Sequence, residues 1–236
     1  MDLSVVIPAY NEEGAIRSVV TSWDDELRAL GVDYEIRVYD DGSRDGTGPA
    51  LEALARERPR VVAIRQENRG HGPTILRGYR EARGAWIFQV DGDDEMPASS
   101  FRTLWERREQ ADVVLGYRVE RVSPAARRTI TAVSRWTVRL LFGAGVRDVN
   151  TPYRLFRREA LARLVAAVPG DTFAPNVILA GLAVRWGLRV VQLPVPHRGR
   201  RTGASSIMRF GMWMAAATAF AQTVRVALRA RGAASR

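Results

Sequence analysis

Short β-branched runs alternating with helix-length amphipathic segments are the feature that most restricts how this chain can fold. Leu3 to Ile7 is such a run, stopped by Pro8; after Asn11-Glu12-Glu13 the apolar residues Ile16, Val19, Val20, Trp23, Leu27 and Leu30 recur at helical spacing up to Gly31. Tyr34 to Tyr39 reads as the next strand and Ala50 to Arg58 as the next helix. Val61 to Ile64, Thr74 to Arg83 and Ala85 to Val90 repeat the strand, helix, strand order. This alternation predicts βαβ units and an α/β fold with a mostly parallel sheet flanked by helices. Ligands of such sheets bind beyond the carboxyl ends of the strands. Pro8-Ala9-Tyr10, Asp40-Asp41 and Asp91-Gly92-Asp93 all fall at those ends, so three separate stretches are expected to converge on one edge.

The third of these carries the chemistry. In Asp91-Gly92-Asp93-Asp94-Glu95 the carboxylates of Asp91, Asp93 and Glu95 stand on alternate residues. In an extended segment they would point the same way and could grip one hard cation, with Asp94 pointing elsewhere. Such a set leaves part of an octahedral Mg²⁺ or Mn²⁺ shell open for water and substrate phosphates. The competing reading is a solvated acidic turn.

Composition narrows the choice. The chain has no cysteine and only His71 and His197 as histidines, so any metal is expected to be held by oxygen. A net charge of +10 favours anionic partners without choosing among them. Met1-Asp2 leads straight into an apolar strand without the pattern of a secretory signal, and no stretch reaches the roughly 18 apolar residues of a spanning helix. The expectation is a cytoplasmic protein.

Val5-Val6-Ile7-Pro8-Ala9-Tyr10-Asn11-Glu12, then Asp40-Asp41-Gly42-Ser43 with Asp45-Gly46-Thr47, then Asp91-Gly92-Asp93, together resemble a family 2 glycosyltransferase of the GT-A fold. Asp112 to Arg118, read as a strand ending in arginine, is similar to the polyprenyl-phosphate sugar synthase branch, typified by dolichol-phosphate mannose synthase. Asp148 with Tyr153 to Arg157 resembles that branch's Asp-x-x-Ser-Gly-Phe-Arg block, with Thr151-Pro152 in place of Ser-Gly. Gly187 to His197 resembles its last strand, and Arg200-Arg201-Thr202-Gly203-Ala204-Ser205-Ser206 its Arg-x-x-Gly-x-Ser-Lys, with Ser206 in place of lysine.

The resemblance implies a Rossmann-like GT-A domain over 1–203, followed by an amphipathic helix and basic tail over 204–236. It implies inverting, metal-dependent transfer of a sugar from a UDP- or GDP-sugar to a polyprenyl phosphate. Pro8, Tyr10 and Glu12 would border the nucleobase and ribose, and Asp40 would bond the nucleoside. Asp91 would also lie near the ribose and sugar, with Asp93 at the metal. Arg118 would meet the diphosphate, and Arg200 the diphosphate or the acceptor phosphate, a task that suits the guanidinium fork. Gly203, Ser205 and Ser206 would donate to the same acceptor phosphate. A hydroxyl acceptor would instead need a carboxylate base, for which Asp148 and Asp171 are the candidates; Asp171 equally reads as a helix N-cap. His71 reads as a loop hydrogen-bonder and His197 as structural.

Two stretches bear on membranes. Ser123 to Phe142 sets Arg128, Arg135 and Arg139 on one side of a helix and Ile130, Val133, Trp136 and Leu140 on another. Further on, Phe210, Met214, Ala217, Ala221, Val224 and Leu228 recur at helical spacing opposite Thr218, Gln222, Arg225 and Arg229. Basic amphipathic helices lie in the headgroup region of anionic bilayers, which points to peripheral attachment at the inner face of the membrane. The alternative is packing on the domain or on a second copy in a homo-oligomer. A nucleic-acid binder would explain the net charge, but acidic strand ends repel a phosphate backbone, so no nucleic-acid partner is expected.

Overall fold

A computed structural model describes residues 1–119, 136–143, 145–198 and 209–233 of the chain. At its centre is β1 (Leu3–Ala9), buried at every position. Parallel partners flank it, β2 (Tyr34–Asp40) on one side and β4 (Trp86–Gln89) on the other, and β3 (Val61–Arg65) extends β2. Beyond β4 come β6 (Arg154–Arg157), β5 (Val113–Val119) and β7 (Val190–Pro196), completing a seven-stranded sheet in the order β3-β2-β1-β4-β6-β5-β7. Among the described strands only β6 runs against its neighbours.

Pro8 does not stop the first strand, which continues to Ala9. Alternate residues of a parallel strand bond to the same neighbour, and Val6 gives its carbonyl to Val90 on the β4 side. Position 8 faces that same side beyond the last β1–β4 pair, Val6 with Gln89, so the missing N–H forfeits no ladder bond.

Helices cover both faces. α1 (Ile16–Leu30), α2 (Thr47–Glu57) and α4 (Phe101–Arg107) bury their apolar stripes in a core that includes Trp23, Leu51, Phe88 and Phe101. Trp23, Phe88, Phe101 and Tyr153 form its aromatic centre, with Phe88 to Tyr153 at 4.7 Å and Phe88 to Phe101 at 4.8 Å between ring centroids. Edge-on pairs of this kind add about 0.5–1.5 kcal/mol each to their area burial. α3 (His71–Glu81), α6 (Arg158–Ala166) and α7 (Pro175–Arg185) fill the other core, around Tyr39, Ile75, Ile87, Phe156 and Ile178. α3 lies tight on the sheet because Gly78 has no side chain; a Cβ there would stand 2.3 Å from Val6 Cγ1.

α7 is almost wholly buried because it is covered in turn. α5, at 136–142, and α8 (Arg209–Ala233) both reach it, and Arg185 at its end donates to the carbonyls of Leu141 and Ala227. α8 docks through Thr223, Val226, Ala227 and Ala230, while Met214, Ala217, Ala221 and Leu228 on the opposite side are exposed. Phe220 is exposed too, and Arg225 and Arg229 border this outward stripe. On α5, Trp136 and Leu140 likewise face outward. Residues 123–135 of the first amphipathic stretch and the domain boundary at 203/204 lie outside the described residues.

Candidate active site

The loops that leave β1 and β2 are stitched into one floor. Asn11 N donates to Ser43 Oγ at 2.9 Å, Glu12 N to Thr47 Oγ1 at 2.8 Å, and Arg44 N to Asn11 Oδ1 at 2.9 Å. Asn11 takes a left-handed φ of 54°, a conformation asparagine tolerates better than most residues. Pro8, Tyr10 and Glu12 are thereby brought beside the Asp40 loop, as the motifs predict. Asp40 is 2% exposed; its Oδ1 accepts from Ser43 N at 2.9 Å, while its Oδ2 is buried without a hydrogen bond, with the Arg65 guanidinium 3.8 Å away.

Asp41 has a task that the sequence did not reveal. Its carboxylate accepts from Gln66 Nε2, from Arg69 N at 2.8 Å and from Gly70 N at 2.9 Å, which fixes the glycine-rich loop from a neighbouring strand end. That loop starts α3 at His71, earlier than the predicted Thr74. Gly72 in its first turn lies against the backbone of residues 172–173; a Cβ there would meet Thr172 O at 2.1 Å. His71 Nε2 contacts Asp91 Oδ1 at 3.0 Å. Local desolvation opposes protonation of this ring, but Asp91, with Asp93 and Asp41 behind it, outweighs it and raises the imidazole above its ordinary pKa.

The acidic segment departs from the expected extended geometry. Residues 92–94 turn, and Asp94 takes a left-handed φ of 57°. Alternation therefore does not aim Asp91, Asp93 and Glu95 at one point. Asp91 Oδ1 accepts from Gln89 Nε2 at 2.9 Å as well as meeting His71. Asp93 Oδ1 accepts from Glu95 N at 3.2 Å, and Glu95 Oε2 lies 3.0 Å from His197 Nε2. His197, which follows β7, thus ties the end of that strand to the acidic segment. The segment is further held by Arg198 N to Glu95 O at 2.9 Å and by Tyr153 OH to Pro97 O at 3.0 Å.

Arg118 and Asp148 meet as a bidentate pair, Nε to Oδ2 at 2.7 Å and Nη2 to Oδ1 at 3.0 Å. Burial works against the Arg118 charge, but Asp148, with Asp91 and Glu95 in electrostatic reach, raises its pKa further above the ordinary range. Beneath this pair Arg154 is fully buried, its guanidinium donating to the carbonyls of Thr151, Asn176 and Val149. Burial lowers its pKa to about 10. These bonds pin the 148–151 loop, and Asp148 with it, to the start of α7. Asp171 is exposed in the turn before α7, whose N-cap is Ala174, so the N-cap reading of Asp171 does not hold. Arg200, Gly203, Ser205 and Ser206 lie outside the described residues.

As a seat for Mg²⁺ or Mn²⁺ the donor set has the right chemistry, hard carboxylate oxygens. Asp91 and Asp93 both act on His71 and so share one locality. Glu95 is turned to His197, and among the described residues no three acidic or histidine side chains stand close enough to hold an ion as they are. Asp91 and Asp93 supply oxygen donors of the expected kind without forming a closed site as they stand among the described residues.

The glycosyl transferase family 2 model matches residues 4–165, and the chain belongs to that family. It is also similar to named transferases. The undecaprenyl-phosphate 4-deoxy-4-formamido-L-arabinose transferase of Pseudomonas aeruginosa is 34% identical over 206 residues, covering 86% of this chain and 59% of the relative. The protein of the same name from Klebsiella pneumoniae is 31% identical over 212 residues, covering 88% of this chain and 63% of the relative. The chain thus spans about three fifths of the length of these relatives. Glucosyl-3-phosphoglycerate synthase from Mycobacterium tuberculosis, solved with Mn²⁺, UDP and phosphoglyceric acid, superposes with a TM-score of 0.72 at 21% identity. That match covers 96% of this chain and 78% of the other, and it establishes the GT-A-like fold.

Proposed function

We propose that this chain transfers a sugar from a UDP- or GDP-sugar to a polyprenyl phosphate, inverting the anomeric carbon. The observation that carries the donor half is Asp40. A carboxylate oxygen buried without a hydrogen bond costs on the order of 1–3 kcal/mol, and a nucleoside laid on the Tyr10 and Glu12 floor offers the N–H or O–H donors that would satisfy it. The Tyr10 ring supplies stacking area beside it. The acceptor half is supported by the sequence relatives, named for transfer involving undecaprenyl phosphate.

Asp91 and Asp93 would hold Mg²⁺ or Mn²⁺, whose charge stabilises a departing nucleoside diphosphate. The Mycobacterium neighbour, solved with Mn²⁺ and UDP-glucose, is in keeping with that. Arg118 would lend its charge to the diphosphate from its fixed place on Asp148, since a preorganised cation loses little on reorientation. This pairing disfavours Asp148 as a general base, because its carboxylate already accepts two charge-assisted bonds. An acceptor phosphate, anionic at neutral pH, needs no such base. We assign Arg200, Gly203, Ser205 and Ser206 to that phosphate on the motif alone, and place residues 204–236 outside the catalytic domain on the same ground.

Attachment to an anionic bilayer completes the reading. A lipid acceptor requires the catalytic edge to reach a membrane, and no helix among the described residues is long and apolar enough to cross one. The outward stripe of α8, with Arg225 and Arg229 beside it, and exposed Trp136, with the Arg139 guanidinium 5.4 Å from its ring centroid, have the character of interfacial anchors.

The test is incubation with a panel of UDP- and GDP-sugars and Mn²⁺, with and without a short polyprenyl phosphate, products being read by mass. A glycosyl polyprenyl phosphate is the expected product. Transfer only to a hydroxyl acceptor, or no turnover of any nucleotide sugar, would overturn the proposal.

A further inference from the structure

We propose that Gln89 and Asn176 form a buried amide pair that sets the position of the Asp91 carboxylate, a role that rests on the donor-site reading above. Gln89 is the last residue of β4 and is fully buried, an unfavourable place for an amide unless both of its ends are bonded. Both are. Nε2 donates to Asp91 Oδ1 at 2.9 Å, and Oε1 accepts from Asn176 Nδ2 at 2.9 Å, with Tyr79 OH at 3.4 Å.

The two ends of a glutamine amide have nearly the same shape, so the partner at one end decides what the other end presents. Asn176 Nδ2 is a donor and draws the Gln89 oxygen toward itself, while the single Tyr79 hydroxyl proton stands 3.4 Å from both Gln89 Oε1 and Asn176 Oδ1. The Gln89 NH₂ is thereby turned to Asp91. Reversed, the amide would set oxygen against carboxylate and nitrogen against nitrogen. Asn176 is fixed in turn by its place in the first turn of α7 and by the Arg154 guanidinium, which donates to its carbonyl at 2.7 Å. On the other side of Asp91, His71 Nε2 meets the same oxygen at 3.0 Å. Asp91 Oδ1 is therefore clamped between a buried amide and an exposed imidazole, which restricts the rotation of the carboxylate.

Core packing alone does not call for this pair, since two apolar residues would fill the same space. The pair ties α7, whose preceding turn rests on Gly72, to the carboxylate on which donor binding depends. Residues that orient a ligating carboxylate act on affinity and rate through it rather than by touching substrate.

The test uses the full chain with Gln89→Met, which keeps the volume and removes both bonds, and with Asn176→Leu. Mn²⁺ alone and Mn²⁺ with UDP are titrated by calorimetry, Tm is followed by circular dichroism, and kcat and KM are measured with the donor found active. Gln89→Met is expected to weaken Mn²⁺ and UDP binding and lower kcat by about 10- to 100-fold, leaving acceptor KM unchanged. Asn176→Leu should move the same quantities in the same direction. The double variant should be no worse than Gln89→Met alone, because both changes break one chain of bonds. Folded variants whose Mn²⁺ affinity and kcat stay within about twofold of wild type would overturn the pairing, and if Gln89→Met does not fold, Asn176→Leu decides by the same criterion. A wild-type protein that binds neither Mn²⁺ nor UDP would overturn the donor-site reading, and this proposal with it; wild-type binding that the variants leave untouched overturns this proposal alone.

Discussion

Arg118 and Asp148 are each about one-tenth exposed, and at that depth an ion pair costs more to break than it contributes. Arg118→Met is expected to destabilise the chain by about 3–5 kcal/mol, because Asp148 loses its bidentate partner while remaining buried. Thermal unfolding should show this as a fall in Tm of roughly 10 °C. Asp93→Asn should behave in the opposite manner. It is expected to leave Tm within a few degrees of wild type and to reduce Mn²⁺-dependent sugar transfer by at least about 100-fold. Residues of the first kind were legible only as motif members: Arg118 could be placed at a strand end, but its partner lies 30 positions away and no local pattern names it. The same holds for Asp41 on the glycine loop, for His197 on Glu95 and for Gln89 on Asn176. Asp40, Asp91 and Asp93 could be placed near strand ends from the sequence because an apolar run delivers an acid to its carboxyl end, whereas Arg65 beside Asp40 and His71 on Asp91 could not. The geometry of Glu95 was misread because strand alternation was carried past the point where Gly92 begins a turn.

At the level of elements, α3 is tied to β2 by charge as well as by packing. Glu81 near its end accepts from Arg77 Nε at 2.7 Å, Tyr39 OH at 3.0 Å and Arg37 Nη2 at 3.3 Å. Burial pushes its pKa up, but these donors outweigh that and hold it below the ordinary 4.5. A carboxylate lowered in the folded state stabilises fully above its unfolded pKa and loses that contribution as pH falls through the folded value. The Tm difference between wild type and Glu81→Gln is therefore expected to be constant near neutrality and to shrink once the pH drops below about 4.5. At the other end of α3, Gly72→Ala would drive a methyl into the 172–173 backbone. A cost of about 1–3 kcal/mol in chemical denaturation is expected, together with weakened UDP binding as His71 shifts. β1 to β4 and their helices were legible because each is a short apolar run followed by an amphipathic one. β6 was hidden because Arg154 to Arg157 begins and ends on arginine and so offers no apolar run, and its direction is set by the strands it lies between. α7 was legible only as a helix following Asp171, since a helix buried all round has no stripe from which to read its bounds.

For the whole molecule, the decisive question is what covers the outward faces of α5 and α8. A bilayer predicts that the chain floats with vesicles containing anionic lipid, and that binding weakens steeply as salt is raised. Met214→Glu with Leu228→Glu should abolish flotation while leaving turnover of a short, water-soluble polyprenyl phosphate intact. A concentration-dependent dimer that does not float, and that the same substitutions dissociate, would assign the faces to a second copy instead. The periodicity of α8 was visible in the sequence, but the side it turns to the protein was not: small residues and Thr223 dock on α7, and the larger apolar side chains point away.

The single reversed strand has a consequence of its own. The loops after β1, β2 and β4 leave strands at the catalytic edge, whereas 148–153 arrives there, entering β6 from the edge. Outside the βαβ crossovers, it is held instead by Arg154, which donates to the carbonyls of Val149 and Thr151, and it carries Asp148 to Arg118. Rewriting that inbound loop would thus shift Arg118 and the start of α7 together, a coupling that the outward-running loops do not share.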